Sequence, residues 1–429
     1  SVQSEPAEGF CYEMRQLDAE LYMHTGTAEP VEMTTWMTMD DNYVVTELTT
    51  ASEHPIDVTV MTYANGENKL YETTSGIREK VGQVSRRSRT EGDVRWIARA
   101  GISTRITGTE ASWEKTSSSQ VTASFQIKAG QPVCIVTYVS GSLEDDARLP
   151  EAYDKLSSVN GPQLALLKIE KKQWWKDMWT RSYVETNDSL LNRQYLSSIY
   201  LMASACNLHS PVCGGMYGVW NMNDSMNYHG DIHLNYNSQA GFYSVFSANR
   251  PELAMPYYDF LEKLIPEGKR RAREEMGLVH PSLKDKSCRG LLFSVSALGN
   301  GYLYGEYWQQ TMDAPFNVPL FSWYYEYTGD REFLRKRAYP FIRECGDFYE
   351  DYLEKETLDS TYRYNILTGG HEGSWDLNPP SDLAFVEQTF RLLLRYSEIL
   401  GVDENRRALW KDIVTHLPSY KVIMPTKTP

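Results

Sequence analysis

The sequence predicts an antiparallel β-sandwich followed by an all-α toroid of the (α/α)6 type. The sandwich is predicted by the first third of the chain, where short β-branched runs alternate with turn residues and show no helical period. The toroid is predicted by the change near residue 150, after which apolar residues recur at helical spacing. Long loops rich in glycine, asparagine and aromatic residues separate several of these helices, and such loops usually carry function. They indicate a cleft at the mouth of the toroid.

The change of period also sets the predicted domain boundaries. Residues 1–150 are assigned to the sandwich, 151–186 to a linker-helix region and 187–429 to the toroid, which carries the active-site loops. Within the sandwich, the Asp-Asp-Asn at 40–42 predicts a turn and the Asn-Gly at 65–66 predicts a hairpin tip. The helical part supplies fewer predicted helices than a six-pair toroid needs. We therefore expect the toroid to be incomplete in this chain.

The composition argues against two classes of partner. The chain carries 57 acidic and 43 basic residues, a net charge of -14, so neither nucleic acid nor an anionic membrane surface is expected to bind it. No apolar run reaches the roughly 18–20 residues of a membrane span, so membrane insertion is not expected. The six cysteines lack metal-ligand spacing, and their even number permits disulfides without requiring them. The 29 tyrosines and 11 tryptophans suit either a sugar site or a large aromatic core.

The first candidate loop covers residues 220–237 and leads into a predicted helix. Asn235 and Asn237 are two residues apart, so in an extended segment their amides project in the same direction. Two such amides can hold a carboxylate, a water or two sugar hydroxyls, because each amide both donates and accepts. The alternative is that Asn237 caps the helix and its neighbours only form turns. His229 and His233 have the spacing of a metal pair, but the glycine and asparagines beside them disfavour the continuous helix it needs, so no metal site is predicted.

The second candidate loop, residues 301–319, contains one glutamate, one tryptophan and one aspartate of interest, Glu306, Trp308 and Asp313. The simple alternative for Glu306 is a solvated side chain, which is the commonest fate of a glutamate. The simple alternative for Asp313 is a turn residue at a helix start, two positions before Pro315.

The third candidate loop covers residues 367–382 and packs two carboxyl groups around a histidine and a tryptophan, namely Glu372, Asp376, His371 and Trp375. A carboxyl group next to a tryptophan in a closing cleft is desolvated, which raises its pKa and keeps it protonated near neutrality. A glycosidase needs such an acid to protonate the leaving oxygen of the glycosidic bond. Asp382, at the end of the loop, is assigned instead as the N-cap of the following helix.

Taken together, these stretches resemble a known family of enzymes. Residues 218–243 are similar to the segment of glycoside hydrolase family 95 in which Gly-x-Trp-Asn leads into Asn-x-Asn at a helix start, and the matching positions are Gly218, Trp220, Asn221, Asn235 and Asn237. The run WWKDMWTRS resembles the linker helix of this family and of related sandwich-and-toroid glycosidases and phosphorylases. The likeness touches most of residues 160–422, while the sandwich fits in architecture only.

The resemblance implies an enzyme that hydrolyses terminal α-L-fucosides or α-galactosides with inversion and without a cofactor. It implies that Asn235 and Asn237 position the nucleophilic water. The surrounding polar and aromatic residues are expected to bind the sugar: Trp220, Asn221, His229, His233, Trp308, His371 and Trp375.

Two features depart from the family pattern. The family's acid is a glutamate in a Trp-Glu-His-Tyr setting, whereas this chain reads Trp-Tyr-Tyr-Glu at 323–326. The HEGSWDLN run of the third loop is similar to the Ser-Gly-Trp-Asp of trehalase-like toroids, where the aspartate is the acid. Asp376 and then Glu372 are therefore the expected acid, with Glu326 third. The family's base lies beyond the matched text, so we expect it after Pro429.

The expected function is that of an inverting exo-glycosidase on a terminal α-linked sugar of a plant or host glycan. Such a role in polysaccharide degradation implies a secreted or periplasmic protein. Its expected partners are an oligosaccharide or polysaccharide substrate and the remainder of a longer polypeptide. Two alternatives stay open, a phosphorylase of the related toroids and a glycan-binding protein that has lost turnover. The residues leave open the sugar, its linkage, the oligomeric state and the pairing of the cysteines.

Overall fold

The chain forms two compact units, Ser1–Tyr183 and Val184–Pro429, in a computed structural model. The structure describes residues 9–26, 29–89, 97–142, 148–208, 210, 212–220, 224, 226–305, 307, 309–367, 369–371 and 374–420. For residues 148–151, 370, 371 and 374–376 it describes the backbone alone. All six cysteines are free thiols.

The first unit is built from antiparallel strands in two sheets. Its strands are β1 (Phe10–Arg15), β2 (Glu20–Thr25), β3 (Val31–Met37), β4 (Tyr43–Thr50), β5 (Ile56–Tyr63), β6 (Tyr71–Arg78), β7 (Val81–Ser88), β8 (Arg99–Thr107), β9 (Ser112–Ser117), β10 (Gln120–Ile127) and β11 (Val133–Ser142). The larger sheet has the order β1-β2-β3-β4-β11-β8-β7-β6, and the smaller has the order β5-β10-β9. The paired strands run antiparallel, so the predicted sandwich is confirmed.

Both faces of the larger sheet are partly buried. One face packs on the smaller sheet through an apolar cluster that includes Leu48 and Phe125. The other face packs Trp36 and its neighbours against the helices α1 (Arg148–Ser158) and α2 (Gly161–Thr180). Successive side chains on a strand point to opposite faces, so one strand can supply both cores.

The two predicted turns of the sandwich had different outcomes. The turn at 40–42 is confirmed, because β3 and β4 pair on either side of it. The hairpin tip at 65–66 is wrong, because β5 pairs with β10 in the smaller sheet while β6 pairs with β7 in the larger one. Residues 64–70 therefore cross between the sheets. An Asn-Gly pair favours a turn locally, but the burial of the flanking strands decides their partners.

A buried ion pair fixes helix α2 to the sandwich. Lys171 Nζ lies 3.1 Å from Glu20 Oε1, and the two side chains are 1% and 6% exposed. Burial acts to raise the pKa of Glu20, but the positive charges of Lys171, Lys168 and Lys172 outweigh it and lower that pKa. Separating a buried ion pair is costly, because each partner would become an uncompensated buried charge. The pair therefore stabilises the packing of α2 on the sandwich.

The second unit is helical, as predicted. Its helices are α3 (Ser189–Ala205), α4 (Asn237–Ser247), α5 (Met255–Glu274), α6 (Met276–Val279), α7 (Val318–Thr328), α8 (Arg331–Phe333), α9 (Tyr339–Tyr352), α10 (Pro380–Leu400) and α11 (Arg407–His416). Short strands lie in the connections: β12 (Ile232–His233), β13 (Ser296–Leu298), β14 (Tyr302–Tyr304), β15 (Glu354–Thr357), β16 (Tyr362–Asn365), β17 (Gly369–His371) and β18 (Ser374–Asp376). Within the described ranges, no helix combines the length and the apolar character needed to cross a membrane.

The ends of the helices follow from local sequence. Asp188 caps α3, because its carboxylate accepts hydrogen bonds from the N–H groups of Leu190 and Leu191 over 2.8 and 3.2 Å. Helices α7 and α10 stop at Gly329 and Gly401, both with φ of 70°, the left-handed conformation that glycine adopts without strain. These ends fix where the chain leaves each helix and enters a loop.

Candidate active site

The three loops predicted from the sequence meet in the second unit. Strand β12 of the first loop pairs with β13, and β13 pairs with β14 of the second loop. The ring of Tyr236 in the first loop lies 6.4 Å from that of Phe316 in the second loop, centroid to centroid. Phe316 lies 4.3 Å from Phe385 of α10, the helix that the third loop enters. A small sheet and a row of rings therefore join all three loops.

The backbone of these loops is strained at several non-glycine residues. Tyr236 has φ of 118°, which is unusual for a bulky side chain. Tyr228, His229, Gln309 and Asn378 have φ between 52° and 58°. Such conformations cost on the order of 1–3 kcal/mol each and are common at functional sites, where the surroundings hold them in place. Comparable φ values occur outside these loops at Ala19, Glu79, Asn249 and Asp403, and the largest value, that of Tyr236, lies in the first loop.

Asn235 and Asn237 flank the strained Tyr236 at the start of α4. Residues 234–236 form a turn and not the extended segment expected, so alternation along a strand does not decide where the two amides point. The Oδ1 of Asn235 is buried without a hydrogen-bond partner among the described residues, and Asn237 is exposed. The capping alternative is wrong, because Tyr236 is the N-cap and its N–H donates to Gln239 Oε1 over 3.1 Å. Neither amide is needed to start the helix.

A buried polar network holds the first loop to the second. His233 Nδ1 lies 3.1 Å from Asp231 Oδ2 and 3.4 Å from Ser296 Oγ. The hydroxyl of Tyr304 donates to the same Asp231 oxygen over 3.3 Å. Burial and then the charge of Asp231 raise the pKa of Tyr304 to about 12, so this hydroxyl keeps its proton. Serine and aspartate approach the same histidine nitrogen, whereas a Ser-His-Asp relay needs one on each nitrogen. These contacts connect the first loop to the second.

The predicted sugar-binding residues of the first loop differ in exposure. Trp220 is 52% exposed, and its ring lies so close to Gly218 that a Cβ there would come within 2.4 Å of it. His229 is exposed, with its ring 6.2 Å from that of Tyr304. His233 is only 5% exposed because the network above surrounds it. Trp220 and His229 are therefore open to a ligand, and His233 organises the loop.

The same two histidines do not form a metal pair. His229 lies in a left-handed turn and His233 in strand β12, so their spacing of four does not place them on one helix face. In the part of the chain that the structure describes, no group of three histidine, cysteine or acidic side chains is placed to hold a metal ion.

The third loop is a short β-hairpin closed at its neck. Strand β17 pairs with β18, and Gly369 is the partner of Asp376. At the neck, Asn378 Oδ1 accepts a hydrogen bond of 2.7 Å from the N–H of Ile366. Several predicted site residues lie outside the described residues, either entirely (Glu372, Asn221, Trp308 and Glu306) or in their side chains (His371, Trp375 and Asp376).

A pair of fully buried carboxyl groups links the second loop to the third. Neither carboxylate oxygen of Asp313 has a hydrogen-bond partner among the described residues. Asp382 Oδ1 accepts a hydrogen bond of 3.4 Å from Thr311 Oγ1. Burial raises the pKa of Asp382 to about 7. Burial and then the charge of Asp382 raise the pKa of Asp313 well above its usual range. Both groups therefore hold protons at pH values where an ordinary aspartate is ionised.

The assignment of Asp382 as an N-cap is therefore wrong. Helix α10 begins at Pro380 with Pro379 as its N-cap, because proline fits the first turn and sets the helix start earlier than expected. Asp382 is the third residue of the helix and shares its buried face with Val386 and Phe390. The helical spacing of Asp382 with the apolar residues of this face was the sequence signal that could have predicted the burial of its carboxyl group. The interpretation of Asp313 as a turn residue did not predict the burial of its carboxyl group.

Glu326, the third acid candidate, takes part in helix packing. Its carboxylate accepts a hydrogen bond of 2.7 Å from the hydroxyl of Tyr396 and forms an ion pair with Arg395 at 2.9 Å. Both partners are on α10, so Glu326 links α7 to that helix.

Comparison with known proteins gives one family and a set of structural neighbours. The glycosyl hydrolase family 95 catalytic domain matches residues 153–426, more than half of the chain. Alpha-L-fucosidase 2 of Arabidopsis thaliana is 26% identical over 239 residues, which are 52% of this chain and 27% of that protein.

A solved structure described as a kojibiose phosphorylase from the human microbiome has a TM-score of 0.67 at 14% identity, and the match covers 95% of this chain and 56% of that one. A bacterial glucoamylase complexed with acarbose has a TM-score of 0.47 at 8% identity over 94% of this chain and 57% of its own.

The likeness to the phosphorylase structure shows the fold and confirms the predicted sandwich-and-toroid class. The chain spans about half the length of that structure and about a quarter of the plant enzyme.

Proposed function

The chain belongs to glycosyl hydrolase family 95, and from that premise we propose that it hydrolyses a terminal α-linked sugar with inversion of configuration. The proposed sugars are an α-L-fucoside or an α-galactoside on a plant or host glycan, outside the cytoplasm. The observation that supports the proposal is the strained backbone of Tyr236, which lies between Asn235 and Asn237 in the first loop and within the matched region. The likeness to alpha-L-fucosidase 2 favours a fucoside as the first substrate to test.

The amides would orient the attacking water. An inverting glycosidase uses a carboxylate base to activate a water while an acid protonates the leaving oxygen. The buried Oδ1 of Asn235 lacks a donor among the described residues, so it is an acceptor that a bound water can satisfy. Asn237, on the other side of Tyr236, is exposed and can contact the same water or its base. An amide keeps its hydrogen-bonding pattern at any neutral pH, which suits a group that positions without exchanging protons.

The third loop would supply the acid. We place Asp376 first, because it lies on strand β18 and directly follows Trp375 in sequence. Glu372, four positions earlier in the same loop, is second. Glu326 stays third, since Arg395 and Tyr396 already engage its carboxylate. The exposed ring of Trp220 offers a flat apolar face for the sugar.

A second candidate function is phosphorolysis, which the structural likeness to the described kojibiose phosphorylase favours. Phosphate would then attack in place of water, and the released product would be a sugar phosphate.

The products distinguish these functions. With para-nitrophenyl α-L-fucoside or α-galactoside at neutral pH, we expect free sugar at a rate that does not depend on inorganic phosphate, measured by anion-exchange chromatography. A sugar phosphate formed only in phosphate buffer would establish the phosphorylase instead. Saturable binding of the free sugar by calorimetry, with no release of nitrophenol in either buffer, would identify a glycan-binding protein.

A further inference from the structure

Tyr236 combines a strained backbone with an exposed aromatic ring. At its φ of 118° a side chain with a Cβ is costly, and glycine would adopt the same conformation with less strain. The residue is nevertheless 56% exposed, so burial of its ring offsets little of that cost. Strain of this kind persists where it serves a function, so the ring needs an explanation other than folding.

A buried glutamine holds Tyr236 in this conformation. Gln239 is fully buried, and its Oε1 accepts a hydrogen bond of 3.1 Å from the N–H of Tyr236. The side-chain amide of Gln239 donates to the carbonyl of Leu234, whose N–H donates to the carbonyl of Val295 over 2.7 Å. These contacts use the backbone of Tyr236 and not its side chain. The ring can therefore be exchanged while the contacts that fix the turn remain.

Tyr236 belongs to a row of rings at the starts of three helices. Tyr236 precedes α4, Phe316 precedes α7, and Phe385 lies in the second turn of α10. The centroid distances are 6.4 Å from Tyr236 to Phe316 and 4.3 Å from Phe316 to Phe385. Tyr243 follows Tyr236 by two turns of α4, and its ring lies 5.3 Å from that of Trp323 on α7. All five residues are at least partly exposed, so they present an aromatic surface beside the two asparagines.

We propose that Tyr236 is a substrate-binding residue whose ring stacks on the terminal sugar of the glycan. A pyranose has an apolar face of C–H groups, and this face packs well on the flat face of an aromatic ring. The proposal rests on the proposed function for the bond that is cleaved, whereas the binding of a sugar to this ring can be tested without it.

The position of Tyr236 between the two amides assigns the sugar. In an inverting reaction the water attacks the terminal sugar from the side opposite to the leaving group. Asn235 and Asn237 are proposed to direct that water, and they flank Tyr236 directly. Residue 236 therefore lies on the side of the attacking water, where its ring contacts the terminal sugar and not the departing one.

Binding of free monosaccharides tests this subsite without turnover. L-Fucose and D-galactose are titrated into the protein by isothermal calorimetry, and the sugar that the wild type binds more tightly is used for the variants. Tyr236→Gly should weaken its binding by about 10–100-fold, the scale expected for losing an aromatic anchor. Tyr236→Phe keeps the ring and should bind within about threefold of the wild type. Equal affinities of Tyr236→Gly and the wild type, or no binding of either sugar by the wild type, would overturn the proposal.

The stability of the glycine variant separates a binding role from a structural one. Glycine relieves the strain at residue 236, and Gln239 can still accept from the N–H there, so the thermal midpoint should not fall. Tyr236→Asn is a second variant without the ring, because asparagine tolerates positive φ, and it should bind sugar as weakly as the glycine variant. A lower midpoint in both variants, in proportion to their loss of binding, would show that the ring supports the turn and would contradict the proposed role.

The matched control is Tyr327→Ala. Tyr327 is 60% exposed and lies in the last turn of α7, whereas Phe316 precedes the first turn of that helix. Its ring is therefore remote from the proposed subsite, and its loss should change sugar binding by less than about twofold, as for most surface substitutions.

Hydrolysis gives the second readout. The α-glycosyl fluoride of the preferred sugar has a leaving group without a ring, whereas the para-nitrophenyl α-glycoside has an aromatic one. Tyr236→Gly should lower kcat/KM on both substrates by the same factor, about 10–100-fold, because both carry the terminal sugar. A loss confined to the nitrophenyl substrate would place the ring on the leaving-group side and refute the assignment. If monosaccharide binding depends on Tyr236 but no glycoside is hydrolysed, the proposed function fails and the sugar subsite stands.

Discussion

Replacing Asn235 or Asn237 by alanine is expected to lower kcat by about 10²–10⁴-fold, the usual range for losing a positioned catalytic group. The proposed water needs a fixed direction of approach, and the two amides supply it from either side of Tyr236. The turn itself should survive, because the N–H of Tyr236 is held by Gln239 and by neither amide. The measurement is steady-state hydrolysis of an aryl α-glycoside, with thermal unfolding of each variant followed by circular dichroism.

The matched control for these variants is Asn227→Ala. Asn227 is an exposed asparagine of the same loop, and its loss should change kcat by less than about twofold, as for most surface substitutions. If the Asn235 and Asn237 variants lose stability in proportion to activity, both residues are structural. If they retain wild-type kcat, the proposed role in orienting water is wrong.

Removing the general acid should have the second large effect, and its size should depend on the leaving group. Asp376→Asn should slow a substrate with a poor, alkyl leaving group by about 10²–10⁴-fold, since such a group departs only when protonated. The same variant should slow a para-nitrophenyl glycoside far less, because nitrophenolate departs with little protonation. Rates of both substrates, measured for each variant at one pH, give the comparison.

The other two candidates serve as internal comparisons for the acid. Glu372→Gln should show the leaving-group effect only if Glu372 replaces Asp376 in this role. Glu326→Gln should mainly weaken the contact between α7 and α10, so it should lower stability and slow both substrates equally. Should Asp376→Asn and Glu372→Gln both treat the two substrates alike, the acid lies elsewhere in the protein.

The fold class could be predicted because each unit has one dominant period. Runs of period two indicated the sandwich, and apolar residues at helical spacing after residue 150 indicated the helical unit. Strand partners could not be predicted in the same way. The Asn-Gly at 65–66 is a local signal, whereas the pairing of β5 with β10 depends on contacts between residues far apart in sequence.

The candidate site was only partly predictable for the same reason. Loop composition located the three loops, and the strained backbone of Tyr236 falls where the two asparagines had been singled out. Asp382 was mistaken for a helix cap because the prediction used its position before an apolar run and not its helical spacing with Val386 and Phe390. Its burial depends on Thr311 and Gly369, which come from two other segments of the chain.

Proton NMR of the first sugar released by the protein tests the central claim, hydrolysis of an α-linked sugar with inversion, most directly. Spectra collected within the first minutes, before the anomers equilibrate, separate the two anomeric protons of the product. The proposed mechanism predicts that the β-anomer is formed first and that the α-anomer follows only by mutarotation. An α-anomer that forms first would show retention and would contradict the roles proposed for the asparagines and the attacking water.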